Sequence, residues 1–147
     1  MDPILIDVLW HRLLNVVEEE ARTLMRTAFT NILSDAGDLS AGVFDLDGKM
    51  MAQAITGTPG HINSMAIGVK HFLRVYEPKD LQPGDVLIGN DPHLFSGHLN
   101  DITVATPIFW RERCVAFFAS TCHAVDIGGR GETTEARDMY EEGLYIP

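Results

Sequence analysis

Apolar residues recur at three- and four-residue steps from the start of the chain: Ile6, Trp10, Leu13, Val17, Leu24 and Ala28. Glu18, Glu19, Arg22 and Arg26 fall largely on the other side. That spacing predicts one long amphipathic helix over residues 3–33, packed on a core through its apolar stripe. Asp2 suits its cap and Pro3 its first turn. The pattern fades in Ser34-Asp35-Ala36-Gly37-Asp38, a cluster of turn-formers. Short apolar runs around Val43-Phe44 and over residues 50–54 then flank Asp47-Gly48, a strong hairpin signal.

A Gly/Pro-rich stretch, TGTPGH, leads to Asn63-Ser64, which would cap a second helix running to about Tyr76. Met65, Ile67, Val69, Phe72, Leu73 and Val75 give that helix a broad apolar face. Pro78 and Pro83-Gly84 break the pattern, and residues 85–89 read as a short buried strand ending at Asn90-Asp91-Pro92. Two longer runs, residues 101–110 and 113–122, meet at Arg111-Glu112-Arg113 and read as an antiparallel pair. Residues 126–131, DIGGRG, form a glycine-rich loop, and the tail from Glu132 is acidic and weakly patterned. The expected fold class is α+β: a long N-terminal helix, β-hairpins and a second helix packed on a mostly antiparallel sheet. Residues 1–147 form a single segment, and the abrupt ending GLYIP reads as the front part of a larger subunit.

Composition narrows the function classes. The 147 residues are 46% hydrophobic and 22% charged, a globular balance, with a net charge of −10. So acidic a chain, without a basic stripe, argues against nucleic acid or an anionic membrane as partner. No apolar run approaches the roughly 20 residues that span a bilayer. The N-terminus lacks the basic region and cleavage site of a signal peptide. Cys114 and Cys122 fall on one predicted strand, roughly 26 Å apart at about 3.3 Å per residue, beyond disulfide reach. Free thiols point to a reducing, cytoplasmic location.

Candidate chemistry concentrates in SGHLNDITVATPI, residues 96–108. With a three-residue hairpin loop Trp110 faces Cys114, paired positions sum to 224, and Asp101 lies opposite His123 with Cβ atoms about 5 Å apart. His98 lies three residues upstream on a flexible stretch. A two-residue loop would instead pair Asp101 with Cys122. Two imidazoles and a carboxylate suit a divalent first-row cation and leave positions open for water or substrate. A His–Asp pair that merely ties the loop to the hairpin explains the same residues. Non-haem iron oxygenases use these ligand types with one residue between the first His and the carboxylate, where this chain has two.

His61, just before the second helix, is a candidate catalytic group or a loop histidine. Asn90, Asp91, Asp126, Gly128 and Gly129 are candidate substrate contacts, and turn chemistry alone explains each of them. Asp45-x-Asp47-Gly48 lacks the ligand series of a calcium loop. Serine-hydrolase elbows, phosphate loops and dinucleotide fingerprints are all missing, so no nucleotide-binding residue is assigned.

Taken together, VFDLDGKMMAQA, HINSM, PGDVLIGNDP, GHLNDITVATPIF, ASTCHAVDIGG and EGLYIP resemble the N-terminal part of the hydantoinase B/oxoprolinase family. That family includes N-methylhydantoinase, 5-oxoprolinase, caprolactamase and the metal-bearing subunits of acetone and acetophenone carboxylases. The resemblance implies one divalent metal, manganese or zinc before iron, held by His98, Asp101 and His123. It implies ATP on a hydantoinase A-like partner subunit that phosphorylates the substrate, and hydrolysis of a cyclic amide. Ketone carboxylation and a non-catalytic assembly scaffold are the alternatives.

Overall fold

A computed structural model describes residues 2–131 and 133–147. Helix α1 covers Pro3–Thr27, and the Asp2 carboxylate accepts the Ile4 N–H at its start. The expected single helix over residues 3–33 is divided. Ala28 turns extended (φ −67°, ψ 141°), and Thr30 starts the short helix α2, Asn31–Ser34, by accepting the Leu33 N–H. A hydroxyl cap satisfies an otherwise orphaned donor and so begins a new helix. Apolar spacing carries no sign of that. From Leu13 onward α1 packs on the sheet, with Val17 and Ala21 fully buried. Ile6 and Trp10, on the same stripe, remain about half exposed.

Strands β1 (Leu39–Phe44) and β2 (Met50–Gln53) form the first hairpin. Its turn is held by the Asp45 carboxylate, which accepts the N–H groups of Asp47 and Lys49. Helix α3 covers Pro59–Val75 and so begins before the expected Asn63-Ser64 cap. Proline at the first helical position is pre-set for the turn, and this places His61 inside the helix rather than in a loop before it.

Strands β3 (Leu87–Gly89), β4 (Asp101–Trp110) and β5 (Arg113–His123) complete a sheet of order β2-β1-β5-β4-β3, antiparallel at each pairing. A four-residue helix, α4 (Met139–Glu142), lies near the C-terminus.

The fold is α+β, with α1 and α2 on one face of the sheet and α3 on the other. Leu39, Ala41 and Val43 meet Val17 and Ala21 on the first face. Phe44, Phe117 and Ala119 meet Met65, Val69 and Phe72 on the second. β1 is therefore buried on both sides, as a central strand must be. Fully burying a side chain such as Phe117 or Met65 contributes about 1.5–3 kcal/mol.

The β4–β5 register decides the chemistry. The loop has two residues, Arg111-Glu112, so that Trp110 pairs with Arg113 rather than facing Cys114. A bulge then shifts the pairing between Ile108 and Phe109, leaving Val115 as the extra residue on β5. From Ile108↔Ala116 onward positions pair in the expected register, and Asp101 lies opposite His123. Cys114 and Cys122 are free thiols on β5. Among the described residues no helix is long and apolar enough to cross a membrane.

Candidate metal centre

Three neighbouring strands end together and bring their polar termini into one row. Asp101 is the first residue of β4 and His123 the last of β5. Asp38 immediately precedes β1, and its carbonyl accepts the His123 N–H at 3.2 Å, one step beyond the Leu39↔Cys122 pair. Side chains alternate along a strand, so Asp38, His123 and Asp101 share the face covered by α3. The first turn of α3 adds His61.

The segment before β4 adds His98. That segment is fixed at both sides: Asn100 and Ala124 exchange hydrogen bonds of 2.7 and 2.8 Å, and the Asn90 amide donates to the Leu99 carbonyl at 2.7 Å.

Asp101 is the hub, 1% exposed. Its Oδ2 lies 2.9 Å from His61 Nε2 and 3.1 Å from His98 Nε2, and its Oδ1 lies 3.2 Å from His123 Nδ1. Asp38 stands on the other side, with Oδ1 3.6 Å from His61 Nε2 and Oδ2 3.9 Å from His123 Nδ1. Burial alone would push the Asp101 carboxyl up. The close imidazoles of His61 and His98 outweigh it and hold the group well below the usual carboxylate range. Contact with Asp101 raises the His61 imidazole against the opposing effect of burial.

The donor set suits a cation. Within the set His98, Asp101, His123, and again within Asp38, His61, Asp101, one ligand atom per residue lies within 4.8 Å of the others. Two ring nitrogens close on the buried Asp101 Oδ2, and His61 Nδ1, on the far side of its ring, finds no hydrogen-bond partner among the described residues. Nitrogen and oxygen donors converging there fit a first-row divalent ion.

A cleft of about 370 Å³ opens beside His98, lined also by Asn100, Gly131, Thr133, Thr134 and Glu142. A cavity of about 680 Å³ lies elsewhere, between α3, β3 and the C-terminal segment.

His98, Asp101, His123 and His61 are thus brought together, whereas the five candidate substrate contacts stand apart from them. Asn90 is fully buried: its amide donates to the Leu99 and Leu144 carbonyls and its Oδ1 accepts the Ile146 N–H. Asp91 accepts the Tyr145 hydroxyl at 2.8 Å and the His93 N–H. Both therefore clamp the C-terminal segment. Asp126 and Gly128 lie on an exposed turn, where the Gly128 N–H points to the Asp126 carboxylate at 3.4 Å.

Gly129 has φ +67°, and a Cβ there would sit 2.6 Å from the Glu142 backbone, so the close approach it permits is to its own chain. Asp38 was not among the expected site residues. Its signal lay in the alternation Asp38, Ser40, Gly42, Phe44, which runs along the face of β1 opposite to Leu39, Ala41 and Val43.

The hydantoinase B/oxoprolinase family pattern matches residues 2–147. The chain is 35% identical to the 5-oxoprolinase of Saccharomyces cerevisiae over 150 residues, covering 99% of this chain and 12% of that protein. The solved ATP-dependent caprolactamase from Pseudomonas jessenii superposes with a TM-score of 0.79 at 26% identity, over 100% of this chain and 26% of that one. Acetone carboxylase shares the fold, with a TM-score of 0.84 at 23% identity over 99% of this chain and 20% of its own. The chain spans between 10% and 27% of the length of the curated relatives it matches. Match and architecture agree, and the chain belongs to the hydantoinase B/oxoprolinase family.

Proposed function

We propose that this chain is the metal-binding segment of an ATP-dependent hydrolase of cyclic amides, with His98, Asp101 and His123 as metal ligands. Asp38 is the fourth group of the set. The observation that carries the reading is the row Asp38–His123–Asp101 across three strands, closed by His98 around a buried carboxylate.

A divalent ion there, manganese or zinc, would polarise a carbonyl oxygen and lower the pKa of bound water. The chain's own residues supply the rest. Asp101 brings negative charge into a dry position, which strengthens every ligand contact around it. His61 holds a proton at Nε2 against Asp101 and Asp38, and it is the acid–base group of the cluster. The hydroxyls of Thr133 and Thr134 and the amide of Asn100 line the cleft beside His98 and would orient a small ring carrying an amide.

No phosphate loop occurs in this sequence. Activation of the substrate by ATP is assigned on this reading to a hydantoinase A-like partner subunit, and the name of the ATP-dependent caprolactamase supports the use of ATP. Elemental analysis of the purified protein tests the centre: about one manganese or zinc per chain is expected, and none in Asp101→Ala. The complex with its partner should then turn over ATP with a cyclic amide. Turnover only with a ketone plus bicarbonate would make it a carboxylase, and neither activity would reduce it to a scaffold.

A further inference from the structure

Thr58 occupies the N-cap of α3, yet its side chain makes no capping hydrogen bond. A threonine at this position ordinarily accepts an N–H from the first turn. Here the hydroxyl donates to Asp38 Oδ1 at 2.8 Å, with the Gly37 carbonyl a longer 3.4 Å away. The cap has been turned toward the cluster. Around it the backbone is pinned to β1: the Thr58 N–H donates to the Leu39 carbonyl at 2.7 Å, and the Ser40 hydroxyl donates to the Thr58 carbonyl at 3.1 Å.

The segment just before Thr58 is held from the opposite face of the sheet. Ile55 is exposed, and residues 55–58 belong to no strand. The Glu18 carboxylate, on α1, accepts the N–H groups of Ile55 and Thr56 and the Thr56 hydroxyl. Its Oε1 also accepts Arg22 Nε–H at 3.1 Å. Hydrogen bonds to a charged acceptor are the stronger kind, and the Thr56 hydroxyl leads the contacts that hold this carboxyl below its ordinary range. An unbroken path therefore runs from α1 through residues 55–58 to the Asp38 carboxylate. The His61 N–H closes the same turn by donating to the Thr58 carbonyl at 3.1 Å.

We propose that Thr58 is a positioning residue that aims the Asp38 carboxylate into the metal cluster, and that Glu18 fixes it in place from α1. Partners of this kind orient metal ligands, and losing one typically costs 10- to 100-fold in metal affinity. The inference rests on the metal reading above, and the experiment separates the two.

The dissociation constant for Mn²⁺ and Zn²⁺ is measured on the full chain by competition with a chelating dye. The visible absorption of the Co²⁺-loaded protein is recorded alongside. Thr58→Val, which keeps the shape and removes the hydroxyl, should weaken binding about tenfold or more and shift the Co²⁺ bands. Thr58→Ser should restore both to within about twofold of the parent. Glu18→Gln, remote from the metal, should weaken binding severalfold.

Equal binding by Thr58→Val and the parent overturns the proposal. So does a Thr58→Ser loss as large as that of Thr58→Val. Should Thr58→Val not fold, unchanged affinity in Glu18→Gln overturns it. A parent protein that binds neither ion defeats the metal reading itself, and this inference with it.

Discussion

Replacing Asp101 by asparagine conserves volume and removes one charge at the hub of the cluster. In the parent its two oxygens lie within 3.2 Å of nitrogens on His61, His98 and His123, in a position 1% exposed. A metal bound only by the folded state stabilises it by RT ln(1 + [L]/Kd), about 2.7 kcal/mol at a hundredfold excess over Kd. In a domain of this size each kcal/mol moves Tm by roughly 2–4 °C.

Adding Mn²⁺ or Zn²⁺ at such an excess to chelator-treated parent should therefore raise Tm by about 5–10 °C. Asp101→Asn should show almost none of that increment. The variant pays a separate cost without metal, because its amide leaves close imidazoles beside a group that no longer balances them, on the order of 1–3 kcal/mol. Differential scanning fluorimetry with and without ion reads both effects, and circular dichroism checks the fold. Metal-dependent stabilisation of Asp101→Asn within about a degree of the parent's would refute the assignment of Asp101 as a ligand.

Three further outcomes follow from the packing. Glu20, on α1, has a buried Oε2 that accepts no hydrogen bond from the described residues, and burial pushes its carboxyl up to about 8. A raised folded-state value means stability fully present below the unfolded value near 4.5 and lost as pH rises toward 8. Glu20→Gln should remove that loss, so urea melts should show the variant more stable than the parent by on the order of 1–3 kcal/mol at pH 8, and the gap should shrink toward pH 5. Asn90→Ala deletes two donated bonds and one accepted bond that hold the C-terminal segment. It should cost about 2–4 kcal/mol and speed amide exchange at Ile146 far more than in α1. Gly57 has φ +134°, and a Cβ there would lie 2.3 Å from the Leu39 carbonyl oxygen. Gly57→Ala should lose about 2 kcal/mol or more and weaken metal binding together with it, since Thr58 is the next residue. A Gly57→Ala protein with parental Tm would contradict the close approach.

Most of the architecture was legible because burial here follows the simple periods. Period-two runs over residues 101–110 and 113–122 became β4 and β5 within a residue, and Asp47-Gly48 turned the first hairpin where its chemistry demands. What periodicity could not read was local hydrogen bonding. Thr30 restarts a helix that apolar spacing would continue, and Pro59 starts α3 ahead of the more obvious Asn63-Ser64. Exposed Ile6 and Trp10 show a limit of another kind. An amphipathic stripe marks what a helix can bury, whereas how far the sheet extends beneath it is set by strands distant in sequence.

The pairing of Asp101 with His123 shows how a correct register can follow from an incomplete reason. The expected pairing of Asp101 with His123 assumed a three-residue loop; the protein uses two residues and recovers the same register with a bulge at Val115. A shift of one residue would have turned every following side chain to the other face, so the bulge is what lets the tight turn coexist with the row of Asp38, His123 and Asp101. Asp38 illustrates the converse. By sequence it reads as a turn-former, because the last residue of a polar cluster and the first residue of a strand look alike. Only the β1–β5 pairing, formed across more than eighty residues of chain, sets it one step beyond Leu39↔Cys122 and beside His123. Facing residues on one hairpin can be found by counting along the chain. A residue delivered by a neighbouring strand needs the order of strands in the sheet, and here that order, β1-β5-β4, assembles the cluster.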